Sequence, residues 1–285
     1  MVKKHISKIP RRREDSHKGD FGHVFVLAGS QGMTGAAFLA SQAAMRSGSG
    51  LVTCGVPKSL NAIMETKLTE AMTLALPEVK DGALALPAEK IILQFVKKTD
   101  AVVVGPGISR HPETQKLVRN LLEKINKPVI LDADGIIALA GNADILKKRI
   151  LPTVLTPHPG EMSRLVGKDV RAIQANREKT ASDFAKKHKV ILALKGRKTV
   201  IADPKGNTYI NRTGNSGMST AGVGDVLTGM IASFVGQGIN PYSATVIGVY
   251  LHGLAGDLAA KEKGQFSLIA TDLLEKLPQA IKKIL

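Results

Sequence analysis

Asn215-Ser-Gly-Met-Ser-Thr-Ala-Gly-Val-Gly-Asp225, followed by the apolar run Val226-Leu-Thr-Gly-Met-Ile231, predicts a glycine turn that opens a helix. Such a turn gathers unpaired backbone N–H groups around a phosphate, and glycine lets the backbone approach it closely. Asp225 would repel a phosphate, so a base, or a contact to a hydroxyl or a metal, explains it better. The stretch therefore indicates phosphoryl chemistry on a hydroxyl. The alternative is that Gly222 and Gly224 only form a tight turn and Asp225 only caps the helix.

Around this turn, short β-branched runs alternate with longer helical patterns. The predicted strands cover residues 23–28, 51–55, 101–104, 129–131, 153–155 and 190–194, and a predicted hairpin covers 199–202 and 207–210. The predicted helices cover residues 34–46, 87–98, 112–124, 170–187, 224–235, 241–261 and 271–277. Continuous apolar strands between helices are typical of a parallel sheet covered on both faces. We therefore expect an α/β fold, a three-layer sandwich with a mostly parallel central sheet.

Polar and glycine-rich segments follow the predicted strands. They are residues 29–36, residues 105–107, residues 132–134, the segment with His158 and Glu161, and Lys195-Gly196. Right-handed crossovers place the C-terminal ends of parallel strands along one edge, where ligands bind in such sheets. Together with the 222–225 turn, these segments predict a crevice for an extended phosphorylated ligand.

Several polar residues at this edge leave more than one role open. Asp132 and Asp134 can cap a short helix that follows them or hold water on a metal. Glu161 can cap a first helical turn or hold a water on Mg²⁺. His158 lies between two prolines that fix its backbone. Lys195 follows a buried strand and can meet a phosphate as a point charge.

The bulk composition favours one large α/β domain. The chain has 285 residues, of which 44% are hydrophobic and only 4% aromatic, so its core should be aliphatic. We expect a basic N-terminal tail over residues 1–16 and a single domain over residues 17–285. The single cysteine, Cys54, cannot form an internal disulfide. No apolar run has the length of a membrane helix or the position of a signal core, so we expect a soluble, cytoplasmic protein.

The formal net charge of +16 makes nucleic acid an obvious candidate partner. However, six of the 40 basic residues lie within the first 13 positions, and many of the others fall in predicted helices. No aromatic-rich stretch is interleaved with basic residues, as base stacking would require. A positive field also favours a polyanionic small molecule. The charge pattern therefore does not favour nucleic acid.

Four segments together resemble one known family, the ADP-dependent NAD(P)H-hydrate dehydratases. They are the 215–227 stretch, Thr156-Pro-His-Pro-Gly-Glu161, Gly105-Pro-Gly107 and His17-Lys-Gly-Asp-Phe-Gly-His23. The resemblance extends from about residue 17 to residue 277 and implies a ribokinase-like fold. It also implies repair of the hydrated cofactors NADHX and NADPHX, in their S-form, to NADH and NADPH. The reaction would be driven by ADP, which yields AMP and phosphate, or by ATP as in eukaryotic members, with Mg²⁺ bridging nucleotide oxygens.

The resemblance also implies partners. The family commonly forms tetramers, so it implies a homotetramer. Many relatives carry an N-terminal epimerase domain, and this chain is too short to include one, so we expect it to work with a separate NAD(P)HX epimerase. It implies neither a membrane nor a nucleic-acid partner.

Family residues can be carried over position by position. The hydrated cofactor would be contacted by Gly35, Ala36, Ala37, Gly107, His158 and Asp225. The nucleotide would be held by Lys195, Gly196, Arg197, Lys198, Thr199, Asn215, Gly222 and Gly224. Asp225 would take the hydroxyl proton while the N–H groups of the turn stabilise the moving phosphoryl group, and Glu161 would hold a water on Mg²⁺. The family usually has Thr where this chain has Val223, which leaves the choice between ADP and ATP open.

Two other functions fit parts of these patterns. A ribokinase-like kinase of a small molecule, such as a vitamin precursor, shares the predicted fold, base and anion site. A non-catalytic nucleotide- or nucleic-acid-binding protein would combine a decayed site with the +16 charge. Intact Asp225, Lys195 and His158 argue against decay.

Overall fold

The computed structural model describes residues 2–285, which form a nine-stranded sheet between two layers of helices. The strands are β1 (His23–Leu27), β2 (Leu51–Pro57), β3 (Met72–Leu76), β4 (Ala101–Val104), β5 (Val129–Leu131), β6 (Thr153–Leu155), β7 (Ile191–Leu194), β8 (Val200–Ala202) and β9 (Thr208–Ile210). The α-helices are α1 (Lys3–Ile6), α2 (Thr34–Arg46), α3 (Asn61–Lys67), α4 (Ala88–Val96), α5 (Pro112–Lys124), α6 (Ala133–Ile137), α7 (Pro159–Val166), α8 (Val170–Ala175), α9 (Arg177–His188), α10 (Val223–Gly236), α11 (Pro241–Lys263) and α12 (Ala270–Lys282).

The strand order across the sheet is β3-β2-β1-β4-β5-β6-β7-β8-β9. Strands β1 to β7 pair in parallel, whereas β8 and β9 run antiparallel as a hairpin at one edge. Val104 pairs with Leu27 and with Leu131, and Leu131 pairs with Leu155. Four strands therefore end side by side at one edge of the sheet. The predicted α/β fold with a mostly parallel sheet is confirmed.

Side chains alternate between two hydrophobic cores, one on each face of the sheet. In β1, Val24 and Val26 belong to the core under α2, α10, α11 and α12, whereas Phe25 and Leu27 belong to the core under α4, α5, α7 and α9. All four side chains are fully buried. Because burial of such a side chain contributes about 1.5–3 kcal/mol, each face stabilises the sheet.

Helices α2 and α10 pack more closely than ordinary side chains allow. A side chain at Gly229 of α10 would collide with the carbonyl oxygen of Ala40 and would lie 3.0 Å from the Cβ of Ala43. The small residues of α2 make this approach possible. The backbones of the two helices are therefore in direct van der Waals contact near the middle of each helix.

Some predicted elements differ from the structure. The helix predicted over residues 170–187 is two helices, because Asn176 leaves the helical conformation with φ of −135° and ψ of 45°. Val170, the first residue of α8, is 40% exposed. Strand β3 was not predicted, since it is an edge strand whose side chains are largely exposed and show no clear alternation. Helices α3 and α7 were also not predicted.

The N-terminal segment that we predicted as a basic tail lies against the domain. Helix α1 packs on α11, where His5 is buried and its Nδ1 lies 3.1 Å from the Oγ of Ser243. The Arg12 guanidinium stacks 3.9 Å from the centre of the Phe21 ring and donates to the carbonyl of Gly48 at 2.7 Å. The boundary between tail and domain stays a prediction. In the span from residue 2 to residue 285, every helix is too short or too polar to cross a membrane.

Candidate active site

The glycine turn ends at the start of α10, as predicted. Gly222 has a left-handed φ of 86°, and a side chain there would lie 2.5 Å from Leu39 and 3.0 Å from Ala270. Glycine therefore meets both the backbone and the packing requirement at this position. The first N–H groups of a helix have no intrahelical acceptor, and no side chain from residues 2–285 caps this one. Such a turn attracts an anion.

The turn opens into a cleft of about 1110 Å³ at the C-terminal edge of the sheet. The lining comes from the ends of β5, β6 and β7, from residues 211–216, from the start of α10 and from α11. The predicted residues that line it are His158, Glu161, Lys195, Gly196, Arg197, Lys198, Thr199, Asn215, Gly222, Gly224 and Asp225. Residues predicted from separate loops therefore share one cavity.

A buried ion pair lies in this cleft. The Nζ of Lys195 lies 2.6 Å from the Oδ1 of Asp132 and 3.8 Å from the Oε2 of Glu161. The hydroxyls of Thr156 and Thr228 donate to the two oxygens of Asp132 at 2.8 and 2.9 Å. Burial alone lowers the pKa of Lys195, but the two carboxylates outweigh burial and raise that pKa above its ordinary value. Lys195 is therefore protonated and paired with carboxylates, whereas we predicted a lysine whose charge is free to meet a phosphate.

Asp132 and Asp134 do not cap the short helix that follows them, which was the simpler of their two predicted roles. Asp132 stands at the N-cap position of α6, but its side chain makes no cap hydrogen bond there. Asp134 accepts from the Nε of Arg110 at 2.9 Å instead. The carboxylate of Asp132 is thus committed to Lys195 and to the two threonines.

Asp225 stands in the first turn of α10, beside this ion pair. Its pKa is raised to about 7, first by burial and then by the negative charge of Asp132, while Lys195 opposes the shift. Within the described part of the chain, no donor is paired with its carboxylate. A side chain at Gly224 would lie 3.1 Å from the Nζ of Lys195, so the ammonium rests against the same turn. A carboxylate that titrates near neutrality and is free to accept a proton suits a general base.

His158 and Glu161 form a reciprocal cap at the start of α7. The Nδ1 of His158 accepts from the N–H groups of Gly160 and Glu161 at 3.0 and 3.3 Å, and the Oε2 of Glu161 accepts from the N–H of His158 at 2.8 Å. Because Nδ1 accepts, the ring proton is on Nε2, which lies 3.2 Å from the Oε1 of Glu161. Burial and the charge of Lys195 lower the pKa of His158, whereas burial raises the pKa of Glu161. His158 therefore presents a neutral ring at neutral pH.

We predicted that Glu161 holds a water on Mg²⁺, but the carboxylate oxygens in this cleft already have partners. The oxygens of Asp132 and Glu161 already face Lys195 and their hydrogen-bond donors. From residue 2 onward, no group of three or more His, Cys, Asp or Glu side chains is arranged to hold a metal ion. Mg²⁺ in nucleotide sites takes most of its ligands from phosphates and water. An Mg²⁺ ion in this cleft would therefore have to be held mainly by a nucleotide and water, and the role of Glu161 as an outer ligand stays a prediction.

Four of the predicted cofactor contacts, Gly35, Ala36, Ala37 and Gly107, lie beside this cleft and do not line it. A side chain at Gly107 would lie 2.8 Å from the Cβ of Met33 and 3.1 Å from that of Ala36, so Gly107 packs on the start of α2. Gly35 is exposed, with open space around it. Ala37 is fully buried and its side chain packs in the hydrophobic core, so its predicted contact with the cofactor stays a prediction.

The predicted nucleotide contacts divide into free and occupied side chains. Arg197 and Lys198 are exposed at the rim of the cleft, and Lys198 has a left-handed φ of 57°. The side chain of Asn215, in contrast, donates to the carbonyl of Gly256 and to the Oδ1 of Asp257, both at 3.0 Å. The side-chain amide of Asn215 is thus bound to α11 and shapes the cleft, and its predicted contact with the nucleotide stays a prediction.

Sequence reasoning missed three residues that build the site: Thr228, Arg177 and His252. The Nη2 of Arg177 donates to the carbonyl of the last residue of β7 at 2.8 Å and to the carbonyl of Lys195 at 3.2 Å. Its guanidinium fills the space beside Gly196. His252 lies in the cleft and contacts the start of α10. Thr228 interrupts an apolar run and could have been noticed, whereas Arg177 resembles any solvated helical residue.

Comparison with known proteins identifies relatives over nearly the whole chain. Residues 24–279 match the family described as NAD(P)H-hydrate dehydratase. The chain is 47% identical over 278 residues to the bifunctional NAD(P)H-hydrate repair enzyme of Moorella thermoacetica, covering 98% of this chain and 52% of that protein. It is 37% identical over 275 residues to the ADP-dependent (S)-NAD(P)H-hydrate dehydratase of Bacillus subtilis, covering 96% and 94%. The chain thus spans about half the length of the bifunctional relatives that it matches.

Solved structures agree with these relatives. The ADP/ATP-dependent NAD(P)H-hydrate dehydratase from Bacillus subtilis, co-crystallised with ATP/Mg²⁺, has a TM-score of 0.84 at 34% identity and covers 100% of this chain and 98% of that chain. The ribokinase of Thermotoga maritima has a TM-score of 0.56 at 17% identity, with 90% and 99% covered, which speaks for the fold alone. The predicted ribokinase-like fold is confirmed.

Proposed function

Because the chain belongs to the NAD(P)H-hydrate dehydratase family, we propose that it returns the S-form of NADHX and NADPHX to NADH and NADPH while converting ADP to AMP and phosphate. One observation carries the proposal. The Asp225 carboxylate, with a pKa of about 7, lies beside the uncapped first turn of α10. A proton acceptor therefore stands next to a site for a phosphoryl group.

The chemistry follows from the leaving group. The hydrate carries a hydroxyl on its reduced nicotinamide ring, and hydroxide leaves poorly. Asp225 would take the hydroxyl proton as the hydroxyl oxygen bonds to the terminal phosphorus of the nucleotide and the bond from that phosphorus to AMP breaks. The ring nitrogen's lone pair then expels phosphate by breaking the carbon–oxygen bond. Loss of a proton from the adjacent ring carbon restores the double bond of the nicotinamide.

The surroundings of Asp225 support this role. The N–H groups of Val223 to Asp225 would stabilise negative charge on the moving phosphoryl group. Lys195 offsets one negative charge of the Asp132 and Glu161 pair, which reduces the repulsion that an anionic nucleotide would meet in the cleft. Burial, together with the negative charge of Asp132, gives Asp225 a pKa of about 7, in the range that a base needs at neutral pH.

We assign the two substrates to different sides of Asp225. The nucleotide would lie along residues 196–199, where backbone and free cations face the cleft. The hydrated ring would lie on the side of His158, with the rest of that cofactor extending past Gly35, Ala36 and Gly107 along the start of α2. Glu161 would hold a water of a Mg²⁺ ion. The ion, when bound, supplies neutralisation of the phosphate charge.

The proposal extends to partners and place. We propose a homotetramer in the cytoplasm that uses both ADP and ATP as donors. We also propose that a separate NAD(P)HX epimerase supplies the S-form. The Moorella relative, with twice the length, is named for two repair functions in one protein.

The direct test is recovery of NADH absorbance from purified NADHX with ADP, with ATP or without nucleotide. We expect recovery only when nucleotide is present, and comparison of the two nucleotides names the better donor. Asp225→Asn is the matched inactive control. A stable phosphorylated product without NADH would identify small-molecule kinase chemistry instead. Folded protein that recovers no NADH with either nucleotide would contradict the proposal.

A further inference from the structure

Helix α11 carries the segment His252-Gly-Leu-Ala-Gly-Asp257, which the proposed chemistry does not use. A glycine inside a helix costs about 1 kcal/mol relative to alanine. Two glycines three residues apart lie on the same helical face. Their presence in the middle of a 23-residue helix therefore requires a structural reason.

The two glycines make room for the loop at residues 213–218, which lines the cleft. A side chain at Gly253 or at Gly256 would collide with residues of this loop. Asp257 adds two hydrogen bonds, accepting from a backbone N–H and from a side-chain amide of the same loop, both at 3.0 Å. The 213–218 loop is thus fastened along one face of α11.

His252 makes the corresponding contact on the other side of the cleft. Its Nε2 lies 2.9 Å from the carbonyl oxygen of Val223, the first residue of α10. Because a carbonyl can only accept, Nε2 carries the ring proton. The side chain is 8% exposed and lines the cleft. Burial lowers the pKa of His252 to about 4, so the ring stays neutral and adds no positive charge beside Asp225.

We propose that His252 is a positioning residue that holds the first turn of α10, and with it Asp225, at a set distance from the 213–218 loop. Within six residues, α11 contacts both the 213–218 loop and the start of α10. The hydrogen bond to Val223 is the polar link from α11 to the turn that carries the base. The catalytic part of this inference rests on the proposed dehydratase function, whereas the positioning of the turn does not.

The expected effect is on turnover rather than on binding. His252 does not touch the reacting atoms in the proposed arrangement, so its loss should leave both substrates bound. Small misplacements of reacting groups cost up to about 100-fold in rate. Removing the link should therefore lower kcat by about 10- to 100-fold, with KM for NADHX and for ADP changed by less than about threefold.

His252→Gln and His252→Met form a matched pair, because the side chains have similar length and only Gln can donate to the Val223 carbonyl. The measurements are kcat and KM for NADHX with ADP, and hydrogen exchange of the 222–228 amides without substrate. We expect the Gln variant to retain most of kcat, and the Met variant to lose it and to exchange faster over 222–228.

Equal kcat and equal exchange in the two variants would overturn the proposal. If wild-type protein turned over no hydrate, the proposed function would fail, and the exchange difference would still decide whether His252 holds the turn. If the Met variant did not fold, the ring tautomer of wild-type His252, read from its nitrogen NMR shifts, would decide. A proton on Nδ1 would refute the link, and a slowly exchanging proton on Nε2 would support it.

Discussion

Asp225→Asn should make the protein less active and more stable at the same time. Folding raises the pKa of Asp225 from the model-peptide value of 3.8 to about 7, chiefly through burial. A raised carboxyl pKa means that the folded state favours the protonated form. The stability contributed by that preference is complete below the unfolded pKa and is lost as pH rises through about 7. Three pKa units correspond to about 4 kcal/mol. At pH 8 the neutral amide avoids that cost.

The activity change has the opposite sign. Loss of a general base typically lowers kcat by about 10²- to 10⁴-fold. In wild-type protein, a base with a pKa near 7 is about one-tenth ionised at pH 6 and about nine-tenths ionised at pH 8, so kcat/KM should rise about tenfold over that interval. The Asn variant should lose this rising limb, because its amide does not titrate.

The assays are NADH recovery across that pH range and urea unfolding at pH 5 and pH 8. Asp15→Asn is the matched control, since Asp15 carries the same charge on an exposed part of the N-terminal segment. Near-wild-type turnover of the Asp225 variant would refute the base assignment. An Asn variant no more stable than wild type at pH 8 would refute the raised pKa, whatever its activity.

Three further outcomes test the structure. Lys195→Met leaves the buried Asp132 carboxylate uncompensated and should lower the free energy of unfolding by about 3–5 kcal/mol in urea titrations; an unchanged midpoint would disprove the ion pair. Gly229→Ala should cost about 1–3 kcal/mol by overpacking, whereas Gly35→Ala, in open space, should change stability by less than about 0.5 kcal/mol; similar values for the two would contradict the close helix contact. Deleting residues 2–13 should leave NADH recovery unchanged and lower the melting temperature, because α1 packs on α11; a large loss of turnover would place this segment in the site.

The buried parallel strands could be predicted from sequence because each is a short apolar run between turn residues. Ala101-Val-Val-Val104 ends at Gly105, and the strand has those bounds in the structure. Strand β3 lacks this signature, since an edge strand with one neighbour exposes side chains that a central strand buries. The break at Asn176 was equally hidden, because the residues on both sides of it fit one helical pattern.

The members of the site could be predicted because ligand-binding loops follow the C-terminal ends of parallel strands. Their mutual contacts could not. Lys195 and Asp132 are 63 positions apart, and their contact depends on the spacing of β5 and β7 across β6. The burial of individual residues at the start of α2 could not be predicted for a related reason, since Gly35 is exposed whereas Ala37, two positions later, is fully buried.

Because Gly229 packs directly on Ala40, we expect α2 and α10 to move together as one rigid body. The N-terminus of α2 carries Gly35 and Ala36, and the N-terminus of α10 carries Asp225. This pair of helices therefore bears part of the proposed binding site for the hydrated cofactor at one N-terminus and the proposed base at the other. Because the 213–218 loop is itself fastened to α11, any opening and closing of the cleft during turnover should come from residues 196–199. A methyl group inserted at Gly229, deep in the core, would tilt the N-terminus of α10 relative to that of α2. It would thereby slow the chemistry without touching either ligand.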